Sequence, residues 1–415
     1  MKPLFAYVIA FLLLCSRVWG QSVLSMVEAV QQARSNNPTL KVAGYNLGIA
    51  QSDQITATLR PNLTLNNQSL FLLRQSLYPE GTSIWNRHNQ QIWWQLTKTI
   101  QWPGQRQNKI ELSTQNYTYS QKVLADQERN ISLDVAQKWL DVWLLRVNTE
   151  LINQAKTNAD SLVRINTNRL KNQVITLNDL TRTELLAEQY ALQLSTSQQE
   201  YVNELSQLKF MLGTTDSLDI AFSVPIESIP ITLSFDSLLN QTLSRRTDMA
   251  VAQAGINASE VNIRLQKSLA IPQPQIGVIW NPQNSVPYLG FFGTIDLPFF
   301  NRNQGEIQKS KIVREQAIQN QKAVALQIQT ELRAAYDNYQ VQRKNVDRFQ
   351  TILNQSDKVL NTVRYAYLRG GTSIIDFLEA QRSWVDTRQL YYNTVLSYRQ
   401  SYLQLLSVSG LISQL

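Results

Sequence analysis

The longest pattern in this sequence is a run of 108 residues, from Gln105 to Leu212, that contains neither glycine nor proline. Apolar residues recur in it at steps of three and four, which is the period of an α-helix. They form two stripes, one with Ile131, Val135, Trp139 and Val142, and the other with Leu133, Ala136, Leu140, Leu144, Val147 and Leu151. At about 1.5 Å per residue, half of the run makes a helix of roughly 80 Å. The two stripes predict helical neighbours on two sides, and the run predicts a long helical hairpin over residues 105–212.

Before this run, two segments alternate apolar and polar residues with period two, which predicts β-strands over residues 62–73 and 91–102. Residues 74–89 between them are predicted to form an outer loop. In the second segment one face is apolar except for Lys98 and holds Ile92, Trp94, Leu96, Ile100 and Trp102. The other face is polar and holds Gln91, Gln95, Thr97, Thr99 and Gln101. Two amphipathic helices are predicted ahead of the strands, over residues 22–36 and 39–59.

The same order of predicted elements occurs a second time. After a connector over residues 213–232, the pattern predicts helices over residues 235–244 and 247–269 and strands over residues 276–281 and 288–297. Residues 306–369 again lack glycine and proline, and a second helical run follows Gly370 and Gly371. The sequence therefore predicts two repeats, over residues 21–212 and 233–415. Each has two helices, two strands and a helical hairpin, and the second hairpin covers residues 305–412.

The first 20 residues have the features of an export signal. An apolar run over residues 4–15 is shorter than the ~20 residues of a transmembrane helix, and Val18 and Gly20 suit the positions that a signal peptidase recognises. Cys15, the one cysteine, follows Leu14 instead of the small residue of a lipoprotein signal, so lipidation is not expected. Cleavage after Gly20 would leave no thiol, and neither disulfides nor cysteine metal sites are then expected.

The composition is that of a folded protein, with 43% hydrophobic and 17% charged residues and a net charge of +8. The basic residues are scattered, so binding of nucleic acid is not expected. The sequence has one histidine, and it contains neither a glycine-rich phosphate loop nor a Gly-x-Ser-x-Gly motif. No spacing singles out a pair of carboxylates. We therefore expect neither an enzyme nor a cofactor site.

Three motifs resemble the TolC-like outer-membrane factors, also called outer membrane efflux proteins. Residues 297–307, Leu-Pro-Phe-Phe-Asn-Arg-Asn-Gln-Gly-Glu-Ile, resemble the corner between strand and helix in the heavy-metal branch of the family. Residues 367–381 resemble the family's glycine-containing turn between long helices, and residues 37–40, Asn-Pro-Thr-Leu, resemble an early motif. Two features depart from the pattern. The turn in residues 170–180 lacks the glycine, and the lipid-bearing cysteine of the heavy-metal branch is missing.

The resemblance implies a fold that is mostly α-helical with a membrane β-barrel. Four strands per chain cannot close a barrel, because about eight is the smallest number seen and an open edge in lipid leaves backbone groups unpaired. The resemblance implies a homotrimer with a 12-stranded barrel in the outer-membrane lipid, continued by an α-helical barrel in the periplasm. Strands of about 9 to 11 residues with tryptophans near their ends agree with a membrane barrel, although an ordinary half-buried hairpin has the same alternation.

The resemblance also implies a function and a set of site residues. The chain is expected to be the exit duct of a tripartite efflux system in the cell outer membrane, working with a periplasmic adaptor (membrane fusion protein) and an inner-membrane pump of the RND type. Residues expected to face lipid or to form an aromatic belt are Trp85, Ile92, Trp94, Leu96, Trp102, Trp280 and Phe291. Residues expected to face the lumen are Gln91, Gln95, Thr97, Thr99, Thr294 and Asp296. Residues expected to dock the adaptor at the helix tips are Val174, Leu177, Asn178, Asp179, Leu180, Gly370, Gly371, Ile374, Ile375, Asp376 and Leu378.

Asp376 has a second interpretation, since a carboxylate in the first turn of a helix accepts backbone N–H bonds and complements the helix dipole. The cargo also stays open. The corner motif favours heavy-metal or small cations over drug efflux or type I protein secretion. Met26, Met211 and Met249 are the only methionines after the predicted signal, so the sequence shows no series of thioether ligands for such a cation. A periplasmic coiled-coil structural protein would account for the long helices but not for the two strand pairs.

Overall fold

The computed structural model describes residues 22–221, 235–283 and 286–412. The predicted signal with Cys15, and residues 222–232 of the predicted connector, lie outside these ranges. The described residues divide into two units. The helical unit contains residues 22–42, 127–221, 235–246 and 328–412, and the sheet unit contains residues 43–126, 247–283 and 286–327.

Eight helices account for most of the described residues. They are α1 (Met26–Asn36), α2 (Pro38–Thr58), α3 (Pro103–Lys171), α4 (Leu177–Leu212), α5 (Phe235–Arg245), α6 (Thr247–Leu269), α7 (Gln304–Leu368) and α8 (Ile374–Val408). The predicted hairpins are therefore α3 with α4 and α7 with α8. Proline is the first residue of both α2 and α3, where its missing N–H removes no helical hydrogen bond. Among the helices of the described residues, none combines the length and the apolar content needed to cross a lipid bilayer.

The core of the helical unit contains the two stripes predicted in α3. Val135, Trp139, Val142, Ala136 and Leu140 are all buried there, together with Leu208 and Leu212 from α4 and Leu403 from α8. Burying an aliphatic side chain of this size contributes about 1.5–3 kcal/mol. The Trp139 indole also donates a hydrogen bond of 3.1 Å to the carbonyl of Leu24, so this large side chain is buried without an unsatisfied N–H.

One segment of the helical unit differs from the prediction. Residues 22–24 are not part of the first helix but form strand β1 (Ser22–Leu24), which pairs in parallel with β4 (Leu218–Ile220) inside the predicted connector. The helix begins only after Ser25, whose side chain accepts a hydrogen bond from the backbone N–H of Glu28 while the Glu28 carboxylate accepts one from Ser25. This capping box stops the helix from extending backwards.

The sheet unit contains one four-stranded antiparallel sheet. Its strands are β2 (Leu63–Phe71), β3 (Gln90–Thr99), β5 (Gln275–Gln283) and β6 (Val286–Thr294), in the order β2-β3-β5-β6. The order joins the two predicted strand pairs through β3 and β5, and it leaves β2 and β6 at the edges. The last strand ends at Thr294, three residues before its predicted end. The elements of both halves follow one another in the same order, while the two-fold sequence repeat stays a prediction.

Candidate functional site

The register of the sheet separates two faces, because residues directly opposite each other on antiparallel strands point to the same side. Trp94 pairs with Trp280, and Leu96 pairs with Val278, which in turn pairs with Phe291. These residues and Ile92 therefore share one side, called face A. Gln95 pairs with Ile279, and Thr99 pairs with Gln275, which pairs with Thr294. These residues share the other side, called face B, with Gln91 and Thr97.

Face A carries large apolar side chains that the chain itself does not cover. Trp94 is 40% exposed, Leu96 40%, Trp280 45% and Phe291 86%. Further exposed apolar side chains on the same face are Leu63, Leu65, Ile276 and Leu289. Asn67, Ser69 and Lys98 are polar residues of the same face. Isolated exposed apolar residues are ordinary on a protein surface, but a cluster of this size on one sheet face marks contact with a membrane or with another molecule.

Face B is polar at several of the predicted positions but not at all of them. Gln91, Gln95 and Thr99 are half-buried, and Thr294 is exposed. Thr97, which was expected to line water, is only 6% exposed, and its hydroxyl has no hydrogen-bond partner among the described residues.

The burial of Thr97 coincides with an aromatic ring on this face. Gly277, the cross-strand partner of Thr97, lies under the ring of Phe292, since a Cβ atom at Gly277 would be 2.7 Å from Phe292 Cε1. Only a glycine leaves room for an aromatic ring to lie this close to the strand. An alternating pattern cannot show such a contact, because it depends on which residue of the neighbouring strand lies opposite.

Three of the predicted residues lie outside the strands. Asp296 is exposed and follows the last residue of β6, so it does not belong to face B. Trp102 follows β3, is 41% exposed, and donates its indole N–H to the carbonyl of Pro272 at 2.8 Å. Trp85 lies in the loop after β2, is 74% exposed, and packs edge to face against Phe71 with ring centroids 5.5 Å apart.

The two helix tips in the helical unit are built alike. Thr176 precedes α4 and forms a capping box with Asp179, and Ser373 precedes α8 and forms one with Asp376. The predicted capping role of Asp376 is confirmed, because its carboxylate accepts hydrogen bonds from the Ser373 backbone N–H at 3.2 Å and from the Thr372 hydroxyl at 2.7 Å. These bonds, first that of the Thr372 hydroxyl and then those of Ser373, hold the pKa of Asp376 below its usual range.

Left-handed backbone ends the preceding helix at both tips. Gly370 has φ of 78°, and Gln173 has φ of 60°. The backbone N–H groups of Gly371 and Val174 both reach back five residues, to the carbonyls of Ala366 and Arg169, at 2.8 Å each. The first tip therefore makes the same helix end without a glycine, and Gln173 adopts a conformation that L-residues disfavour.

Several tip residues that were expected to dock a partner are instead part of the core. Leu180 is 8% exposed, Ile374 5% and Leu378 7%, and the last two pack with Phe377 and Tyr367 in one cluster. The prediction that these three side chains are exposed at a docking surface was wrong. The sequence of a single helical turn does not show which of its sides packs against the neighbouring helices. The exposed apolar tip residues are Val174 at 59%, Leu177 at 65% and Ile375 at 54%. Asn178, Gly370, Gly371 and Asp376 are also exposed, and Asp179 is half-buried.

A buried polar network ties the two tips together, and the sequence patterns did not indicate it. The Tyr367 hydroxyl donates a hydrogen bond of 2.7 Å to Asn166, whose amide donates one of 2.8 Å to the Thr183 hydroxyl. All three side chains are at most 3% exposed. The Arg169 guanidinium lies 4.7 Å from the Tyr367 ring centroid and donates to the Tyr367 carbonyl at 3.2 Å. Burial raises the pKa of Tyr367, against the opposing effect of Arg169.

The described residues contain no group of three or more His, Cys, Asp or Glu side chains that could hold a metal ion. A signal for the tips was present in the sequence, since Thr-x-x-Asp and Ser-x-x-Asp directly before a helical run are capping-box patterns. The contacts of Tyr367 and of Gly277 had no such local signal.

Known proteins resemble this chain both in sequence and in fold. Residues 238–411 match the family model described as Outer membrane efflux protein. The Cation efflux system protein CusC of Escherichia coli strain K12 is 21% identical over 299 residues, which are 69% of this chain and 65% of that protein. The chain therefore matches slightly less than two thirds of the length of this relative.

Solved structures share the fold over nearly the whole chain. A crystal structure of CusC, described with transmembrane channel formation, has a TM-score of 0.77 at 19% identity and covers 94% of this chain and 93% of its own. The CmeC outer membrane channel of Campylobacter jejuni has a TM-score of 0.76 at 16% identity and covers 93% of this chain and 85% of its own. The chain therefore has the fold of these channels, and its residues 238–411 are similar in sequence to the outer membrane efflux protein family.

Proposed function

We propose that this chain is the outer-membrane exit duct of a tripartite efflux system. The observation that carries the proposal is the cluster of exposed apolar side chains on face A of the four-stranded sheet, in a chain whose residues 238–411 match the outer membrane efflux protein model. In this proposal face A contacts the lipid of the cell outer membrane, with Ile92, Trp94, Leu96, Trp280 and Phe291 facing lipid and Trp85 and Trp102 forming an aromatic belt. Face B faces the water-filled lumen with Gln91, Gln95, Thr99 and Thr294.

A homotrimer would complete the channel. The edge strands β2 and β6 have one unpaired side each, and backbone groups in lipid must be paired. Three copies that pair β2 with β6 would form a closed barrel of 12 strands, above the minimum of about eight. The supporting observation is that the four strands already form one sheet with both edges free.

The partners would be a periplasmic adaptor and an inner-membrane pump of the RND type. We propose that the adaptor contacts the exposed tip residues Val174, Leu177 and Ile375, next to Asn178 and Asp376. These three apolar side chains are more than half exposed, whereas Leu180, Ile374 and Leu378 at the same tips are buried, and exposed apolar groups of this kind mark interaction surfaces.

The proposed cargo is a heavy-metal or other small cation. The support is the resemblance of residues 297–307 to the heavy-metal branch and the similarity to CusC, whose name describes a cation efflux system. In this proposal the duct conducts the ion without a dedicated ligand cluster, and selectivity belongs to the pump. Drug efflux and type I protein secretion would need the same duct, and transport assays with the neighbouring pump distinguish them.

The proposed function is tested by membrane location and conductance. The wild-type protein should fractionate with the outer membrane and form pores in planar bilayers. A charge at the bilayer midplane of a barrel costs about 2–4 kcal/mol, so Leu96→Arg should reduce the assembled protein in the membrane. Gln95→Arg, one position along on face B, is the matched control. It should assemble normally and change the conductance.

Two results would contradict the proposal. If both arginine variants lose assembly equally, the assignment of the faces is wrong. If the wild-type protein neither enters the outer membrane nor conducts ions, the chain is instead a periplasmic coiled-coil structural protein.

A further inference from the structure

We propose that a cavity on face A binds the phosphate group and an acyl chain of an anionic membrane lipid. The inference rests on the proposed function in one respect, namely that face A contacts the membrane. It goes further by assigning a specific lipid-binding site to the end of the sheet where β2 ends and β3 begins.

The cavity has apolar walls formed by the sheet. Its volume is about 420 Å³, and it is lined by Ile92, Trp94, Trp280, Pro282 and Pro287, with the polar residues Arg87 and Gln90. Trp94 and Trp280 form one cross-strand pair, and Pro282 and Pro287 form another. The volume lies in the range of ordinary small-molecule sites, about 300–1,000 Å³.

The loop after β2 holds Arg87 at this cavity by several hydrogen bonds. The backbone N–H of Asn89 donates to the carbonyl of Asn86 at 2.9 Å, which makes a tight turn around Arg87. The Asn89 side chain is 1% exposed and donates to the carbonyl of Ser83 at 2.8 Å. Gln90 donates its amide to the carbonyl of Trp85 at 3.1 Å. The position of the arginine therefore does not depend on a freely moving loop.

The charge of Arg87 is not used within the described residues, where its guanidinium makes neither a hydrogen bond nor an ion pair. A guanidinium presents a planar set of donors that binds a phosphate through two parallel hydrogen bonds. An unpaired cation at the edge of a cavity with aromatic and aliphatic walls is complementary to a ligand with an anionic head and an apolar tail. On a face that contacts the membrane, that ligand is a phosphorylated lipid.

A second copy of the chain is not the expected occupant. A neighbouring copy that continues the sheet would pair with the edge strands β2 and β6, whereas the two tryptophans of the cavity belong to the interior strands β3 and β5. Pairing at the edges leaves the face of the interior strands uncovered.

The test uses the full-length protein purified in a neutral detergent, with native mass spectrometry to count bound lipids. The probes are lipid A, which carries phosphates on an acylated sugar, its dephosphorylated form, and inorganic phosphate. The variant Arg87→Gln should bind lipid A about tenfold more weakly than wild type, equivalent to about 1.4 kcal/mol. Arg87→Lys keeps the charge without the paired donors and should show a smaller loss. Arg74→Gln, an exposed arginine of the same loop that does not line the cavity, is the matched control and should bind like wild type.

The two forms of lipid A separate a phosphate site from general lipid contact. For wild type, removal of the phosphates should weaken binding about tenfold, and Arg87→Gln should then cause no further loss. Equal binding of both forms, or equal losses in Arg87→Gln and Arg74→Gln, would overturn the proposal. Inorganic phosphate that binds alone and fails to compete with lipid A would also overturn it, as would cross-linking of residue 87 to a second copy. Wild-type conductance is measured separately, so absence of a pore would refute the proposed function and not be confused with loss of lipid binding.

Discussion

At the scale of single residues, the helix tips show how two different sequences make the same turn. Gly370 and Gln173 both adopt the left-handed conformation, with φ of 78° and 60°. An L-residue pays roughly 1–2 kcal/mol for this conformation, whereas glycine adopts it freely. The capping boxes that follow, Thr176 with Asp179 and Ser373 with Asp376, then start the next helix in both cases.

Gly370 has a positive φ and the adjacent Gly371 does not. We therefore expect substitution by alanine to have unequal effects at these two positions. Gly370→Ala should lower the free energy of unfolding by about 1 kcal/mol, because alanine is strained at positive φ. Gly371→Ala is the matched control. A Cβ atom there would meet Ala366 at the ordinary contact distance of 3.5 Å, so we expect a change within about 0.5 kcal/mol. Thermal unfolding followed by circular dichroism measures both, and equal losses would contradict the role of φ.

The Asp376 cap predicts a local dependence on pH. The pKa of this carboxyl lies below its ordinary value of 3.8 because the folded tip stabilises the charged form. Its contribution to stability is therefore complete above pH 3.8 and is lost as the pH falls through the lower pKa of the folded state. Pepsin cleavage beside Phe377 should be faster in Asp376→Asn than in wild type at pH 4.5, and the ratio of the two rates should fall as the pH is lowered toward 2. A constant ratio of rates at both pH values would contradict the assignment.

At the scale of elements, the helical hairpins combine a buried side and an exposed side within one turn. Ile374 is 5% exposed while its neighbour Ile375 is 54% exposed. The first contributes to the cluster with Phe377 and Tyr367, and the second is available to a partner. The hairpin tip is therefore both a packing unit and the proposed docking surface.

This contrast predicts separable variants. Ile375→Asp and Leu177→Asp should leave the oligomer intact and reduce both cross-linking to the adaptor and efflux. Leu378→Asp is the matched control, because a charge placed at a buried position of the same helix should destabilise the hairpin and lower the yield of folded protein. Normal efflux in Ile375→Asp and Leu177→Asp would remove the tips from the mechanism, and loss of the oligomer in these variants would assign them to packing.

At the scale of the whole molecule, the four-stranded sheet has two free edges, and edges of this kind are normally paired or protected. Inside a membrane they must be paired. The proposed closure by three copies would satisfy this requirement with 12 strands, and it would account for the four strands of each chain.

Trimer closure predicts which strands cross-link between copies. Light scattering should give the mass of three chains. Cysteines introduced by Gln68→Cys on β2 and Tyr288→Cys on β6 should cross-link between copies with a reagent shorter than 10 Å, because within one chain these strands lie three spacings, roughly 14 Å, apart. The control pair, Gln95→Cys with Ile279→Cys, lies directly across two adjacent strands and should cross-link within one chain only. A mass of one chain in light scattering, or no cross-link between copies from the Gln68→Cys and Tyr288→Cys pair, would contradict the trimer.

Local sequence determined the long helices and the four strands of the sheet. The period of 3.6 placed the two long hairpins, the period of two placed the four strands to within a few residues, and the place of Asp376 in the first turns of a helical run predicted its role as a cap. These features depend on residues close to one another in the chain, so they can be read from short windows.

Tertiary structure decided which surfaces these elements present. The pairing of residues 22–24 with 218–220, the burial of Thr97, and the position of Arg87 beside Trp94 and Trp280 all join segments that are distant in sequence. The same holds for the burial of Leu180, Ile374 and Leu378. Their spacing in the sequence is compatible with a buried or an exposed position, and only the packing of the neighbouring helices decides between the two. Periodicity indicates that a face is apolar, but only the packed neighbours determine whether that face is covered by the chain itself or left for another molecule.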